Sequence, residues 1–495
     1  MNFTKISPEA AGVKSESVKR YLELLDRRGI PMHSVLMMKG NGLFCECYYA
    51  PFDKDTTHRM YSQTKSFVSI AIGLLIEEGR LSLDDRITDL FPEKAAGDIP
   101  SSLKAQTVRH MLTMCTVGYG DIWFGNSEPD RTRLYMSSKR SPERYPDTLW
   151  EYDSQGSQVL SNLVEKLSGM SLFDYLNNKI FTHLGTFKTA EILKTPNGDS
   201  WGDSAMICTP RDIMSFARVV MNYGVWDGKR IMNEGYLREA TSKVVDNREG
   251  PRTMAFHHGY GYQIWRTERN GFAFVGMGNE LTVCLPDDDV IFVCTADCQG
   301  DDGTAREYII NHFFELIMDE MEASPLAENP SACSELQEVM ETRRLFALKG
   351  DNDSPLREKI NGALYTLESN PMGIRTLSFK FNNEREGVLL YENAQGKKEL
   401  PFKINENYFG KFPQLGYSNE VGGVRTTDGF MYDCAVSATW LDRSRFMIYV
   451  QIIDRYLGTC NMTFAFGGSR LSVVMRKCAE DFLDEYCGYA VGEIK

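Results

Sequence analysis

The chain has 495 residues, beyond the roughly 250–300 at which a single hydrophobic core stops growing, so two domains are expected. A formal charge of −13 with no basic stripe or tail argues against nucleic acid or an anionic membrane surface as the main partner. The amino terminus, Met1 to Glu9, lacks the apolar segment of a secretory leader, and no apolar run approaches the ~18 residues of a membrane span. The 12 cysteines are scattered, with no CxxC pair. The expectation is a cytoplasmic protein with reduced thiols, no metal and no cofactor.

In chain order, the first strong signal is a helix over Ser62 to Glu78. Phe67, Val68, Ile70, Ala71, Leu74 and Leu75 give it a broad apolar face, and Gly79 is its left-handed stop. A second helix is predicted over Gln155 to Leu167. Ser154 is read as its N-cap, Val159, Leu160, Leu163 and Val164 as its apolar face, and Gly169 as its end. Val275 to Val283 and Val290 to Thr295 flank the turn Pro286 to Asp289 and read as a hairpin. From 321 to 357 the pattern is polar, punctuated by Pro325, Pro330, Gly350 and Pro355, and reads as a linker carrying a short helix. Beyond it the period moves toward two. Strands are predicted over Thr376 to Phe381, Val388 to Tyr391, Ala435 to Trp440, Phe446 to Ile453, Met462 to Phe466 and Leu471 to Met475, with a helix over Ala479 to Tyr486. The domains are therefore expected at 1–320, 321–357 (linker) and 358–495 (β-rich).

Two short patterns carry chemistry. In Ser62-Gln63-Thr64-Lys65 the serine and lysine fall at i, i+3, on one face of a helix. A serine hydroxyl is a poor nucleophile until a base takes its proton. A lysine acts as that base only in its neutral form, which burial or a neighbouring cation favours. The start of a helix also aims backbone N–H groups at an oxyanion formed there. The ordinary alternative is a capping serine and a surface lysine. Ser101-Ser102-Leu103-Lys104 has the same spacing with no apolar helix behind it, and reads as a decoy. In Tyr152-Asp153-Ser154, a tyrosine just before a buried helix can shuttle a proton, although by itself the pattern reads more simply as a core tyrosine followed by a capping serine. His257-His258 lacks a third metal ligand, and Asp287 to Asp289 reads as a turn.

Taken together these segments resemble the serine β-lactamase and penicillin-binding-protein superfamily, in its class C-like branch with esterases and 6-aminohexanoate-oligomer hydrolases. Ser62 to Lys65, followed by Ile72 to Asp85, is similar to that family's nucleophile helix. Val108 to Met114, Trp150 to Ser154 with Leu167 to Leu172, Thr209 to Asp212, Gly224 to Arg230 and Tyr260 to Trp265 resemble further landmarks, in order, over residues 5 to 315. The resemblance implies an antiparallel sheet flanked by helices, in a mixed α/β domain with the site between sheet and helical region. It implies an acyl-enzyme on Ser62, with Lys65 as base and Tyr152 relaying a proton. The oxyanion hole it implies uses the N–H of Ser62 and one from Met277-Gly278-Asn279-Glu280, either that of Glu280 or that of Asn279.

The sequence departs from the family at three places. Met277 stands where the family has Lys or His, Ser154 where Asn is commoner, and Thr116-Val117 where a small residue and glycine are usual. The missing cation predicts poor action on β-lactams and on peptides ending in a carboxylate, and better action on small uncharged acyl compounds. The expected function is hydrolysis of a small ester or amide. Acyl transfer through the same intermediate and a non-catalytic binding or sensor role are the alternatives.

Overall fold

The computed structural model describes residues 3–95, 99–118, 126–138, 144–248, 254–300, 303–416, 421–422, 431–480 and 483–494. It divides into two compact units, Met1–Arg344 with Glu420–Gly422, and Leu345–Asn419 with Gly423–Lys495. The division falls inside the stretch 321–357. The helix expected there spans Pro330–Thr342 and buries Leu336 in the core of the first unit.

The first unit is built on a sheet of β1 (Thr4–Lys5), β2 (Met32–Lys39), β3 (Gly42–Tyr48), β4 (Trp265–Arg266), β5 (Phe272–Val275), β6 (Leu281–Leu285) and β7 (Val290–Ala296). Their spatial order is β1-β3-β2-β7-β6-β5-β4. The short β1–β3 pair is parallel and the other pairs are antiparallel. Side chains alternate across a strand, so β2 and β7 feed two cores at once. Met37 and Phe292 pack with Val18, Tyr21 and Leu22 of α1 (Ser15–Arg28) on one face. Met38, Ile291 and Val293 pack with Phe67 and Ala71 of α2 (Thr64–Glu77) on the other. A sheet covered on both faces explains why these strands read as unbroken apolar runs.

Helix α2 is buried on every side from Thr64 to Leu75, as befits the central element of a helical layer. A Cβ on Gly73 would lie 2.4 Å from the Tyr236 ring, so only glycine allows this packing. α3 (Ser154–Ser168) crosses α2 and shares its core through Val159 and Leu160. Gly79 and Gly169 close α2 and α3 in left-handed conformation, as expected.

Four local readings change. α2 begins at Thr64 rather than Ser62, because a 3₁₀ turn over Tyr61–Gln63 precedes it, with Tyr61 at φ 46°. The cap of α3 is Asp153, whose carboxylate accepts the Gly156 N–H, so Ser154 is the first helical residue. The stretch Val275 to Val283 is not one strand. Gly278 (φ 87°) and Asn279 (φ 74°) reverse the chain between β5 and β6, and the Gly276 N–H donates to the Glu280 carbonyl at 2.7 Å across the tip. Finally, within the span Ala479 to Tyr486, where a helix is expected, the described residues hold a 3₁₀ turn, Asp484–Tyr486, followed by a strand, Gly488–Ile494.

The described residues of the second unit form a β-barrel of ten strands. All six strands predicted there are present, and Tyr365–Leu367, Gly396–Ile404, Tyr408–Leu415 and Gly488–Ile494 complete the sheet. The last strand returns to the first (Tyr365 opposite Ile494), and Gly396–Ile404 pairs in parallel with Met431–Trp440, which closes the barrel. The interior is filled with aromatic rings, Phe379 meeting Phe446, Phe464 and Phe466 edge to face. Among the described residues, no helix of either unit is long and apolar enough to cross a membrane.

Candidate active site

The short strand His58–Arg59 pairs with Met206–Cys208 and delivers the chain to the Tyr61–Gln63 turn. A non-glycine residue with positive φ is uncommon and persists only where its surroundings hold it. Here the Thr64 hydroxyl donates to the Tyr61 carbonyl at 2.6 Å and accepts the Met206 N–H at 3.0 Å. The turn leaves Ser62 half-buried, at the mouth of α2.

Lys65, one turn further, is 1% exposed. Its Nζ lies 3.0 Å from Ser62 Oγ, donates to the Asp203 carbonyl at 2.7 Å, and lies 3.8 Å from the Asp203 carboxylate. It also sits 5.1 Å from the centre of the Tyr152 ring. The structure therefore brings Ser62, Lys65 and Tyr152 together. The Tyr152 ring stacks on Trp265 of β4, at 5.6 Å between centroids and 21° between planes. Its loop is anchored by Asp153, which caps α3 and accepts the Thr116 hydroxyl at 2.8 Å. Thr116, a departure from the family pattern, thus supports the tyrosine segment. Ser154, at the start of α3, is half-buried beside it.

Met277, Gly278 and Asn279 form the tip of the β5–β6 hairpin, with Glu280 its first returning residue. The hairpin runs alongside the nucleophile turn. A Cβ on Gly276 would lie 2.6 Å from the Met60 carbonyl, and the Thr282 hydroxyl donates to Gln63 Oε1 at 2.8 Å. The Cys298 N–H donates to the Gly278 carbonyl at 3.0 Å. Arg306, on the helix Thr304–Phe313, donates to Asn279 Oδ1 at 3.1 Å and to the Gly276 carbonyl at 3.3 Å. Arg306 thus ties the hairpin tip to this helix.

Glu280 is fully buried, neither carboxyl oxygen has a hydrogen-bond partner among the described residues, and burial pushes the group well above the usual carboxylate range. Asp297, just beyond β7, is pushed up to about 7, also by burial. Gln299 Nε2 donates to Asp297 Oδ1 at 3.1 Å and to the Tyr61 hydroxyl at 3.2 Å, linking this acid to the nucleophile turn.

Several neighbours carry no sequence signal of their own. Arg59 is wholly buried between the rings of Tyr61 and Trp201, at 4.5 and 4.4 Å, and donates to the Ser204 carbonyl. Asp203 reaches Lys65 from a segment remote in sequence, and no fixed spacing announces it. The other tetrad is placed differently: Ser101 and Lys104 are both exposed, on the five-residue helix Ser101–Ala105. His257 and His258 follow the 3₁₀ turn Met254–Phe256. Among the described residues no cluster of three or more His, Cys, Asp or Glu is arranged to hold a metal ion. None of the 12 cysteines is in a disulfide.

The 6-aminohexanoate-dimer hydrolase of Paenarthrobacter ureafaciens is 25% identical over 279 residues, covering 52% of this chain and 70% of its own. Penicillin-binding protein 4 of Amycolatopsis lactamdurans is 24% identical over 241 residues, 43% of this chain and 63% of its own. Among solved structures, a proposed 6-aminohexanoate-dimer hydrolase from Bacillus anthracis superposes with a TM-score of 0.51 at 17% identity, covering 60% of this chain and 80% of that one, a likeness of fold. The sequence profile of the Beta-lactamase family matches residues 18–312, well over half of the chain and enough to take in the Ser62 turn, the Tyr152 loop and the β5–β6 hairpin. This chain belongs to the Beta-lactamase family, a hydrolase-like family.

Proposed function

We propose that the chain is a serine hydrolase that cleaves a small ester or amide through an acyl-enzyme on Ser62. The observation that carries this reading is the 3.0 Å contact between Lys65 Nζ and Ser62 Oγ inside a buried site. In acylation Ser62 Oγ bonds to the substrate carbonyl carbon while its proton passes to the neutral Lys65 amine. The bond to the leaving group then breaks, and Tyr152 relays the proton to that group. Water repeats the sequence in reverse and frees the acid. The developing oxyanion is received by the Ser62 N–H and by one N–H of the hairpin tip, at Asn279 or Glu280.

Substrate choice follows from the tip. Met277 offers an apolar, half-buried surface, and Arg306 is engaged by Asn279 and Gly276. Small uncharged acyl groups suit this wall better than a free carboxylate. The kinship with a 6-aminohexanoate-dimer hydrolase supports amides as well as esters. The test is kcat/KM for short p-nitrophenyl esters against that for a chromogenic cephalosporin. Ester preference supports the reading, and a clear preference for the cephalosporin overturns it.

A further inference from the structure

We propose that Asp203 is a positioning residue of this site: its carbonyl orients Lys65, and its buried carboxylate sets the pH at which Lys65 accepts the Ser62 proton. The inference rests on the acyl-enzyme reading above.

The geometry divides the work between two oxygens. The carbonyl of Asp203 takes one N–H of Lys65 at 2.7 Å. A neutral amine held this way can turn its lone pair toward Ser62 Oγ, 3.0 Å away. Once the proton has moved, the amine is an ammonium, and the Asp203 carboxylate at 3.8 Å meets the new charge. Lys65 and Asp203 are 1% and 3% exposed, so water screens this attraction little. The interaction is stronger after proton transfer than before it, which is what lowers a barrier.

The segment carrying Asp203 is fixed from several sides. The Trp201 ring lies on Arg59 at 4.4 Å. The Gly202 N–H donates to Gln158 Oε1 at 3.0 Å, and a Cβ on Gly202 would lie 2.1 Å from Ser161 Oγ. The Ser204 carbonyl and hydroxyl both accept from Arg59, at 2.9 and 3.2 Å. Asp203 is thus presented by a rigid strap between α3 and the nucleophile turn, as a site that stabilises charge without reorganising requires.

Among the described residues, these charged and titratable groups surround Lys65. Ser62 faces it from its own turn, the Tyr152 ring from the loop before α3, and Asp203 from the strap. Arg131, on the helix Arg131–Ser137, interacts electrostatically with Asp203, and Arg59 lies beyond Ser204. The Asp203 carboxyl therefore interacts with Lys65, at 3.8 Å, and with a second cation, which gives two substitutions opposite signs. Asp203→Asn keeps the shape and the carbonyl but removes the anion, so the neutral amine persists to lower pH. Arg131→Gln removes a cation that opposes the ammonium, so the amine charges more readily.

The experiment measures kcat/KM against pH on a short p-nitrophenyl ester for wild type, Asp203→Asn, Asp203→Glu and Arg131→Gln, each checked for a cooperative thermal melt. The acid limb of Asp203→Asn is expected to move down by roughly one pH unit, with a loss of about tenfold or more at the plateau, mostly in kcat. Asp203→Glu should keep the limb near its wild-type position, and Arg131→Gln should move it up. An unmoved limb in Asp203→Asn, or both substitutions shifting it the same way, overturns the inference. If Asp203→Asn does not fold, a limb in Arg131→Gln that stays put or moves down overturns it instead. A wild-type chain that neither turns over the ester nor takes a fluorophosphonate label at Ser62 overturns the hydrolase reading itself, which separates the two failures.

Discussion

At Ser62–Lys65 the serine follows a left-handed Tyr61 and leads into a 14-residue helix buried from Thr64 to Leu75. At Ser101–Lys104 the same spacing lies on a five-residue helix with both side chains in solvent. In the first, the lysine has the Ser62 hydroxyl, the Asp203 carbonyl and carboxylate, and the Tyr152 ring around it. In the second, the lysine faces solvent on a short helix, and no hydrogen bond joins it to the serine. The spacing puts two groups on one face of a helix. What turns the pair into a candidate for chemistry is burial, a turn that exposes the hydroxyl, and neighbours that distinguish one protonation state from the other.

The largest effect should come from Ser62→Ala, which removes the nucleophile. Ester turnover should fall by on the order of 10⁴–10⁶-fold, with the thermal melt little changed. Lys65→Ala should cost ~10²–10⁴-fold in acylation, the usual worth of a positioned proton acceptor. Pre-steady-state release of p-nitrophenol reads this directly, and near-normal acylation would remove Lys65 from the mechanism. Tyr152→Phe keeps the ring on Trp265 and loses only the hydroxyl, so a smaller loss of about 10²-fold is expected.

The burial around the first tetrad should also show in stability. The carboxyl of Asp297 is raised to about 7 by burial, whereas in the unfolded chain an aspartate titrates near ~3.9. The folded state therefore holds a proton that the unfolded state releases. Stability from this group is full below about pH 4 and is lost as pH rises toward about 7. Asp297→Asn should flatten that decline, by an amount on the order of a few kcal/mol, in melts taken from pH 4 to 8. An identical slope in both proteins would mean that Asp297 does not titrate in this window. The smallest effect belongs to the second tetrad. Ser101→Ala and Lys104→Ala should leave activity unchanged and stability within about 0.5 kcal/mol.

Much of this was legible in the chain itself. The apolar face of Phe67 to Leu75, the alternation over Thr376 to Phe381 and the turn at Pro286 to Asp289 are local periodicities, and local periodicity survives folding unchanged. The boundaries were less legible. Asp153 outcompeted Ser154 as the cap of α3, since both residue types favour that position and only geometry chooses between them. Gly276, Met277 and Gly278 lay within an apolar stretch, and nothing local announced a hairpin tip that depends on Asn279 taking positive φ. In the barrel, Gly396–Ile404 carries Lys397, Lys398 and Glu399, and Gly488–Ile494 has four exposed residues, so their strand character rests on pairing with neighbouring strands rather than on an apolar run. Asp203, Arg59 and Arg306 escaped for the same reason. Each meets the site through tertiary packing, and a sequence records such meetings only as spacing between residues that share an element.

The central claim is that the buried tetrad and not the exposed one carries an acyl group. The direct measurement is to quench the protein during turnover of a slowly deacylating p-nitrophenyl ester, digest it, and locate the acylated residue by mass spectrometry. The account predicts the acyl group on the peptide containing Ser62, absent in Ser62→Ala and retained in Ser101→Ala. An acyl group on the Ser101 peptide, or an unlabelled chain that still turns over the ester, would contradict it.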